Sequence, residues 1–448
     1  MTQLLQQQQP LLYLKPWSRP RSKDEVATPI KLFRRTLPAP PECAREKTSH
    51  RAPIIRFSLK VFGMQKGSVM GKYLKYSSCN LLGLLAICSF LAGGAWLWVP
   101  LFFTLIVAVF GDAALPDDTK EDSFHHLWVL NTFLFLNLPL LFIANFVLLW
   151  HVSDVDAFGF GAALTSLGWD VLAHKDQTGA WDIVGGFLGL GLIFGVAGTN
   201  VAHELVHRTW SKASVEVGRW LLAFTWDGEF AIEHVYGHHQ KVATWDDPAS
   251  ARRGETVFRF LSRSILSANR SAWEIEAHFL RKKQLGLFGW HNRVLRGWAY
   301  SLLLAILAFA VAGWWGLAFH LVLALYGKCY LELVNYIEHY GLVRLPQSKV
   351  QFRHSWNSNA SVSSWFLYNL TRHSHHHETG HLPFWRLQPK VEAPRLPFGY
   401  MTMILIALVP PIYKRLMQPY LELWDREFAS PEERAWLQTR GLLTQLTD

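Results

Sequence analysis

The chain alternates between long apolar runs and polar segments rich in histidine. From Tyr73 onward the apolar runs cover 74–93, 95–113, 127–151, 181–200, 298–313 and 314–334. A helix needs about 20 apolar residues to cross a hydrocarbon core of about 30 Å. The first two runs together are too long for one crossing, and Gly93-Gly94 supplies a break between them; the last two divide near Gly313. The pattern predicts an all-α integral membrane fold of six transmembrane helices, arranged as three hairpins. The last apolar piece, 401–411, is too short to cross and ends in Pro410 and Pro411, so an interfacial or re-entrant segment is expected.

Trp96, Trp98, Trp128, Trp150, Trp181, Trp298, Trp314 and Trp315 stand near the ends of these runs. Indoles are expected there because they settle at the headgroup level, although core packing explains some of them equally. Lys and Arg concentrate in the N-terminal tail and in 202–297, whereas the loop 152–180 carries only Lys175. The tail is therefore placed on the cytoplasmic side, and the ends of the fourth and sixth spans return to that side.

Composition agrees with a membrane protein, since half of the chain is hydrophobic and 17% is charged, against about 25% charged in soluble domains. The net charge of +10 raises nucleic acid as a partner, so its location matters. Residues 1–77 hold 15 Lys and Arg against four Asp and Glu, and the remainder is balanced at 29 against 30. No basic stripe interleaved with aromatics is left, and nucleic-acid binding is excluded. Residues 1–72, with a Gln run, several Pro and many basic residues, are expected to be a disordered tail preceding a domain at 73–448. A targeting role for the tail is weakened by Asp24, Glu25, Glu42 and Glu46, and Met64 and Met70 leave a later start open. The first residues lack a charged segment followed by an apolar core, so no secretory signal is expected. Cys43, Cys79, Cys88 and Cys329 are scattered without a C-x-x-C pair, which excludes a cysteine zinc site, a built-in rubredoxin and a disulfide framework.

Nine of the 20 histidines fall into four tight groups beside the apolar runs. They are His203 and His207 in HELVHR, His234, His238 and His239 in EHVYGHH, His339 in NYIEHYGL, and His373, His376 and His377 in RHSHHH. Spacings of i, i+3 and i+4 put imidazoles on one helical face, so His203 pairs with His207 and His234 with His238. HELVH matches the H-E-x-x-H zinc hydrolase signature, but that chemistry uses three ligands, and nine histidines exceed the capacity of one ion. Imidazole suits iron, zinc and copper. Two ions with four or five nitrogens each match the count, and iron is favoured because oxygen activation uses a redox pair.

These segments, HELVHR, EHVYGHHQKVATWDDPASARRGE, NYIEHYGL and RHSHHH, resemble the histidine boxes of integral-membrane alkane monooxygenases within the membrane desaturase and hydroxylase superfamily. The resemblance spans about 73–425, includes the downstream APRLPFGYMTMILIALVPP, and through NYIEHYGL separates the chain from ordinary desaturases. It implies a non-haem di-iron enzyme with its site on the cytoplasmic side, an inner (plasma) membrane location in a bacterium, and O2-dependent hydroxylation of the terminal methyl group of medium- or long-chain n-alkanes. Carried over position by position, the iron ligands are His203, His207, His234, His238, His239, His339, His373, His376 and His377. Electrons would come from a rubredoxin or ferredoxin reduced by an NAD(P)H-dependent reductase, in keeping with the absence of C-x-x-C pairs. The family's third box usually reads His-Ser-Asp-His-His, and here His375 takes the Asp position, as a hydrogen-bonding support or an alternative ligand.

Glu204, Glu233, Glu338, Asp246 and Asp247 are candidates to hold ligand N–H groups, with ordinary loop polarity as the alternative. His125, His126, His354 and His381 are expected at the surface, and the basic residues of 252–296 form either a solvated surface or a docking face for an acidic donor protein. Trp96 and Trp98 are candidates to limit the depth of a substrate channel. Competing readings are a fatty-acyl or alkylbenzene (xylene-type) hydroxylase or a desaturase of the same superfamily, and, from another class, a membrane metal transporter or sensor. A transporter's ligands are expected near the bilayer midplane in broken helices.

Overall fold

The computed structural model describes residues 70–443, and most of the tail expected to be disordered lies outside them. Among the described residues the fold is helical throughout, with one isolated β-bridge between Asn357 and Arg395. Five helices are long and apolar enough to cross a membrane: α1 (Gly71–Ala92), α2 (Gly94–Ala114), α3 (Leu127–Val152), α4 (Ala180–Val206) and α8 (Arg293–His339). At 1.5 Å per residue α8 is far longer than one crossing requires. Its backbone breaks at Ala312-Gly313, where Gly313 takes φ of 56°. A side chain is strained at such a φ, so glycine is what lets the two halves part here. The expected break between α1 and α2 is also present, with φ of 68° at Gly93 and 53° at Gly94.

The intervening segments make the rest. After α4 the chain forms α5 (Lys212–Ala223), the short α6 (Phe230–Glu233) and the amphipathic α7 (Val257–Lys282). After α8 come α9 (Ser361–Phe366), α10 (His373–Glu378), α11 (Tyr400–Ala407), α12 (Pro410–Glu427) and α13 (Pro431–Thr439). The helix at 400–407 is too short to span, as expected.

Direction along the bundle follows from the hairpins. The α1–α2 turn meets the segment before α4, where the Gly94 N–H donates to Thr178 Oγ1 at 2.8 Å. The turn therefore lies at the end of α4 opposite His203. At the histidine end, Tyr76 near the start of α1 stacks on Tyr368 at 6.1 Å, and Asp112 near the end of α2 accepts hydrogen bonds from the Ser363 N–H and hydroxyl. The Ser363 hydroxyl in turn accepts from the Tyr400 N–H at 3.1 Å, tying α2, α9 and α11 together beside the site.

Most run-end tryptophans are exposed, among them Trp96, Trp128, Trp181, Trp314 and Trp315. Trp150 departs from the belt reading: it is fully buried, and its indole N–H donates to Asp156 at 2.9 Å, so this ring belongs to the core. The basic residues of 252–296 divide: Arg259, Arg270, Arg281, Lys282 and Lys283 are exposed, whereas three others are turned inward. Arg253 pairs with Asp425, Arg263 with Glu255 and Arg293 with Glu276, all internal braces.

Candidate metal centre

Four segments carry the histidines to one end of the bundle. His203 lies in the last turn of α4 and His207 directly after it; His339 is the last residue of α8; His373, His376 and His377 occupy α10. His234 to His238 follow α6 as a π-helical turn, and a second such turn, Phe194–Thr199, precedes His203. Turns of this kind recur at functional sites because they redirect side chains at the cost of strained hydrogen bonding.

All nine come together in two groups, each with donor atoms within 4.8 Å of one another. One holds His203, His207, His234, His239 and His376; the other holds His238, His339, His373 and His377. The groups adjoin, with the His239 and His377 ring centroids 4.4 Å apart. His234 and His238 share a face as expected, their rings stacked with centroids 5.1 Å apart, yet their donor atoms enter different groups. The π-helical turn also brings residues i and i+5 together, so the His234 Nε2 meets the His239 Nε2 at 3.2 Å, while the His238 Nε2 faces His377 at 3.3 Å in the other group.

The donor chemistry fits metal ions. The His377 Nε2 faces both His373 Nε2 at 2.9 Å and His238 Nε2 at 3.3 Å, and His339 Nε2 lies 3.1 Å from His373 Nε2. A neutral imidazole has one N–H and one lone pair, so four Nε2 atoms converging on one point cannot all be paired as hydrogen bonds. Ligands about 2.1 Å from a central ion stand about 3.0–3.4 Å apart, which is the spacing seen. Burial holds His207 down at about 3 and His234, His239, His373, His376 and His377 well below the usual imidazole range, with neighbouring imidazoles acting in the same direction. The rings are therefore neutral at pH 7, the form that binds a metal.

His238 differs in the direction of its shift. Burial would lower its pKa, but the Asp247 carboxylate, 2.8 Å from Nδ1, outweighs burial and raises it. The Nδ1–H donates to Asp247, which leaves the Nε2 lone pair aimed into its group and strengthens it as a donor. Asp247 also accepts from the Ser250 hydroxyl at 2.5 Å, while Asp246 points to solvent.

The remaining candidate acids have separate jobs. Glu338 accepts from the Tyr400 hydroxyl at 2.9 Å and lies 3.2 Å from His373 Nε2. Glu204 accepts two bonds from Arg208 and one from the Phe384 N–H, anchoring the segment after α10 to α4. Glu233 accepts from Ser271 of α7. His375 stands outside both groups, where its Nδ1 accepts from the Gln388 N–H at 2.8 Å, so it fixes the loop after α10. His354, expected at the surface, is fully buried between the Gln351 N–H and Glu433; no spacing in its surroundings announced this. His125, His126 and His381 are exposed.

Against the histidines lies a cavity of about 20 Å³ whose surface is largely apolar, lined by His203, His234 and His373, by Phe230, Leu331 and Val334, and by the polar Thr199, Asn200, Asn335 and Glu338. Neither Trp96 nor Trp98 reaches it. Trp96 is exposed, and Trp98 packs on Trp181 at 5.1 Å, at the opposite end of α2.

A family model for fatty acid desaturases matches residues 178–406, which include every one of these histidines. Alkane 1-monooxygenase 1 of Pseudomonas aeruginosa is 35% identical to the chain over 335 residues, covering 71% of the chain and 82% of that protein. Alkane 1-monooxygenase of Acinetobacter baylyi is 37% identical over 57% of the chain and 65% of its own length. The hydroxylase component of the xylene/toluene monooxygenase of Pseudomonas putida is 28% identical over 80% of the chain and 90% of its own length.

Proposed function

Since the chain belongs to the fatty acid desaturase family, as an integral membrane relative of the alkane 1-monooxygenases, we propose that it is itself an alkane 1-monooxygenase. It converts medium- or long-chain n-alkanes to primary alcohols with O2. The observation that carries this reading is the placement of an apolar cavity directly against both histidine groups, with no charged group available to bind a polar substrate head except Glu338. We further propose two iron ions as the occupants of the groups, with the nine histidines as their ligands. Iron supplies the redox change needed to activate O2 when it is bound there.

The chain's own residues do the rest. The last turns of α4 and α8 hold His203 and His339 at the mouth of the bundle, Asp247 fixes the tautomer of His238, and Glu338 is held by Tyr400 beside His373. The mostly apolar wall surface leaves a hydrocarbon to be aligned largely by shape. Methylene-scale discrimination in such a pocket is worth about 1–3 kcal/mol, so tolerance of neighbouring chain lengths is expected.

The break at Ala312-Gly313 supports two crossings by α8, and thus six in all, with the histidine end on the cytoplasmic side of an inner membrane. A rubredoxin or ferredoxin with its NAD(P)H-dependent reductase is the proposed electron source, in keeping with four scattered cysteines that form no C-x-x-C pair. Placement of the ligands in the last turns of helices disfavours the transporter reading. Hydroxylation of a methyl-aromatic compound is the second reading, favoured by the 90% coverage of the xylene/toluene relative.

Purified protein in lipid nanodiscs, supplied with rubredoxin and reductase, tests this. About two irons per chain and primary alcohols carrying one atom from labelled O2 are expected. Products from xylene alone, or exchangeable zinc without oxidation of any hydrocarbon, would reject the alkane reading.

A further inference from the structure

Two small cavities lie in series below the histidines. The first borders His203, His234 and His373; the second, of about 30 Å³, lies among Ala108, Val196, Met401 and Ile404. Tyr330, Val334 and Leu367 border both and so form the wall between them. A single water needs about 10–15 Å³. Neither cavity as it stands admits any hydrocarbon, and one that enters must move a side chain.

We propose that Tyr330 is the moving part, a partition that decides how much of a substrate chain the protein accepts; this rests on the alkane reading and deepens it. The ring lies against the backbone of Gly195, where a Cβ would come within 2.2 Å of Tyr330 Cδ1. Glycine is thus what gives the ring a groove to lie in, and that groove belongs to the π-helical turn of α4. At its far end the ring is held only by the hydroxyl donating to the Met401 sulfur at 3.6 Å. A thioether is a weak acceptor on a flexible side chain, so release of this contact costs little. Val334, by contrast, is β-branched inside a helix and nearly fixed at χ1.

Tyr330 precedes His339 by nine residues on α8, about 13 Å along the helix axis. A chain with its reacting end at the histidines therefore meets Tyr330 partway along its length. Short chains stop above the ring. Longer ones displace it and extend between α2 and α11, where the lining is apolar and lacks charge.

The test uses the full chain in nanodiscs with n-alkanes of graded length. Tyr330→Ala is expected to move the maximum of the product profile to longer chains and to lower KM for those chains by about tenfold or more, leaving short ones unchanged. Tyr330→Trp is expected to move it to shorter chains, and Tyr330→Phe to stay near the parent. Tyr330→Leu replaces Ala where the smaller residue fails to fold. The same ranking is read without turnover from the thermal stabilisation that each alkane confers. If the unaltered protein oxidises no alkane, the hydroxylase reading fails, while this stabilisation still decides the role of Tyr330. Profiles unchanged in both Ala and Trp variants, or a rise under Ala that is equal for every chain length, overturn the proposal.

Discussion

The Asp247 carboxylate accepts the Nδ1–H of His238 at 2.8 Å, and both side chains are buried. This contact sets which nitrogen of His238 carries the proton and hence which lone pair faces its group. Removing such a partner typically costs 10–100-fold in metal affinity or activity. Asp247→Ala is expected to lower iron retention by about that factor, with Asp247→Asn less affected. Iron content after dialysis against graded chelator measures it, and equal retention in all three proteins contradicts the role.

The division of the histidines into two groups predicts separable losses. His207→Ala belongs to one group and His339→Ala to the other, so each is expected to lose about half of the bound iron and the pair together nearly all. Elemental analysis of the three variants decides. Either single variant with full iron and full turnover would contradict the ligand assignment.

Arg208 is buried against Glu204, with contacts of 3.0 and 2.7 Å to Oε1, and donates also to Asn131 at 2.6 Å. Arg208→Met leaves a buried carboxylate without its cation, a change that costs about 3–5 kcal/mol. A large drop in Tm is expected, partly recovered in the Glu204→Gln, Arg208→Met double variant. No recovery would mean that Arg208 acts through its packing on Trp385, 4.8 Å away.

Glu255 links this site to pH. Burial alone would raise its carboxyl, but the Arg263 guanidinium, bonded to both oxygens, holds it below the usual carboxylate range. Arg263 also donates to the carbonyls of Pro248 and Ser250, so the pair braces the turn that carries Asp247. A depressed folded pKa means that its stabilisation is complete above the ordinary value of 4.5 and is lost as pH falls through the folded value. The Tm difference between the parent and Glu255→Gln is expected to be greatest near pH 7 and to shrink steadily below pH 4.5. A difference that is constant across that range would refute the pairing.

Much of this was legible in the residues. The apolar runs, the glycine breaks and the four histidine segments locate the helices and the residues that converge, because membrane spans and helical spacing are local properties. What spacing could not give is the sorting of the nine. His234 and His238 stack side by side yet their donor atoms serve different groups, because a π-helical turn draws His239 to His234, and His373 and His376 divide because α10 lies between the two groups. Buried His354 has a related cause, since its partner Glu433 lies 79 residues on and only the tertiary fold brings it near, whereas Trp150 is satisfied locally by Asp156, six residues on. Tyr330 carried no sequence signal at all, since its role depends on a glycine on another helix.

The histidine groups also have a consequence for how the chain is held together. His376 and His239 stand 137 positions apart along the chain, His238 and His377 stand 139 apart, and His339 and His373 stand 34 apart. An ion held by each group, as proposed, would act as a clasp across distant stretches, removing conformational freedom from the unfolded chain as a long-range cross-link does. With iron as the proposed occupant, starvation for it would loosen these fastenings, and proteases would reach the histidine-bearing segment between α6 and α7 before the lipid-embedded hairpins come apart.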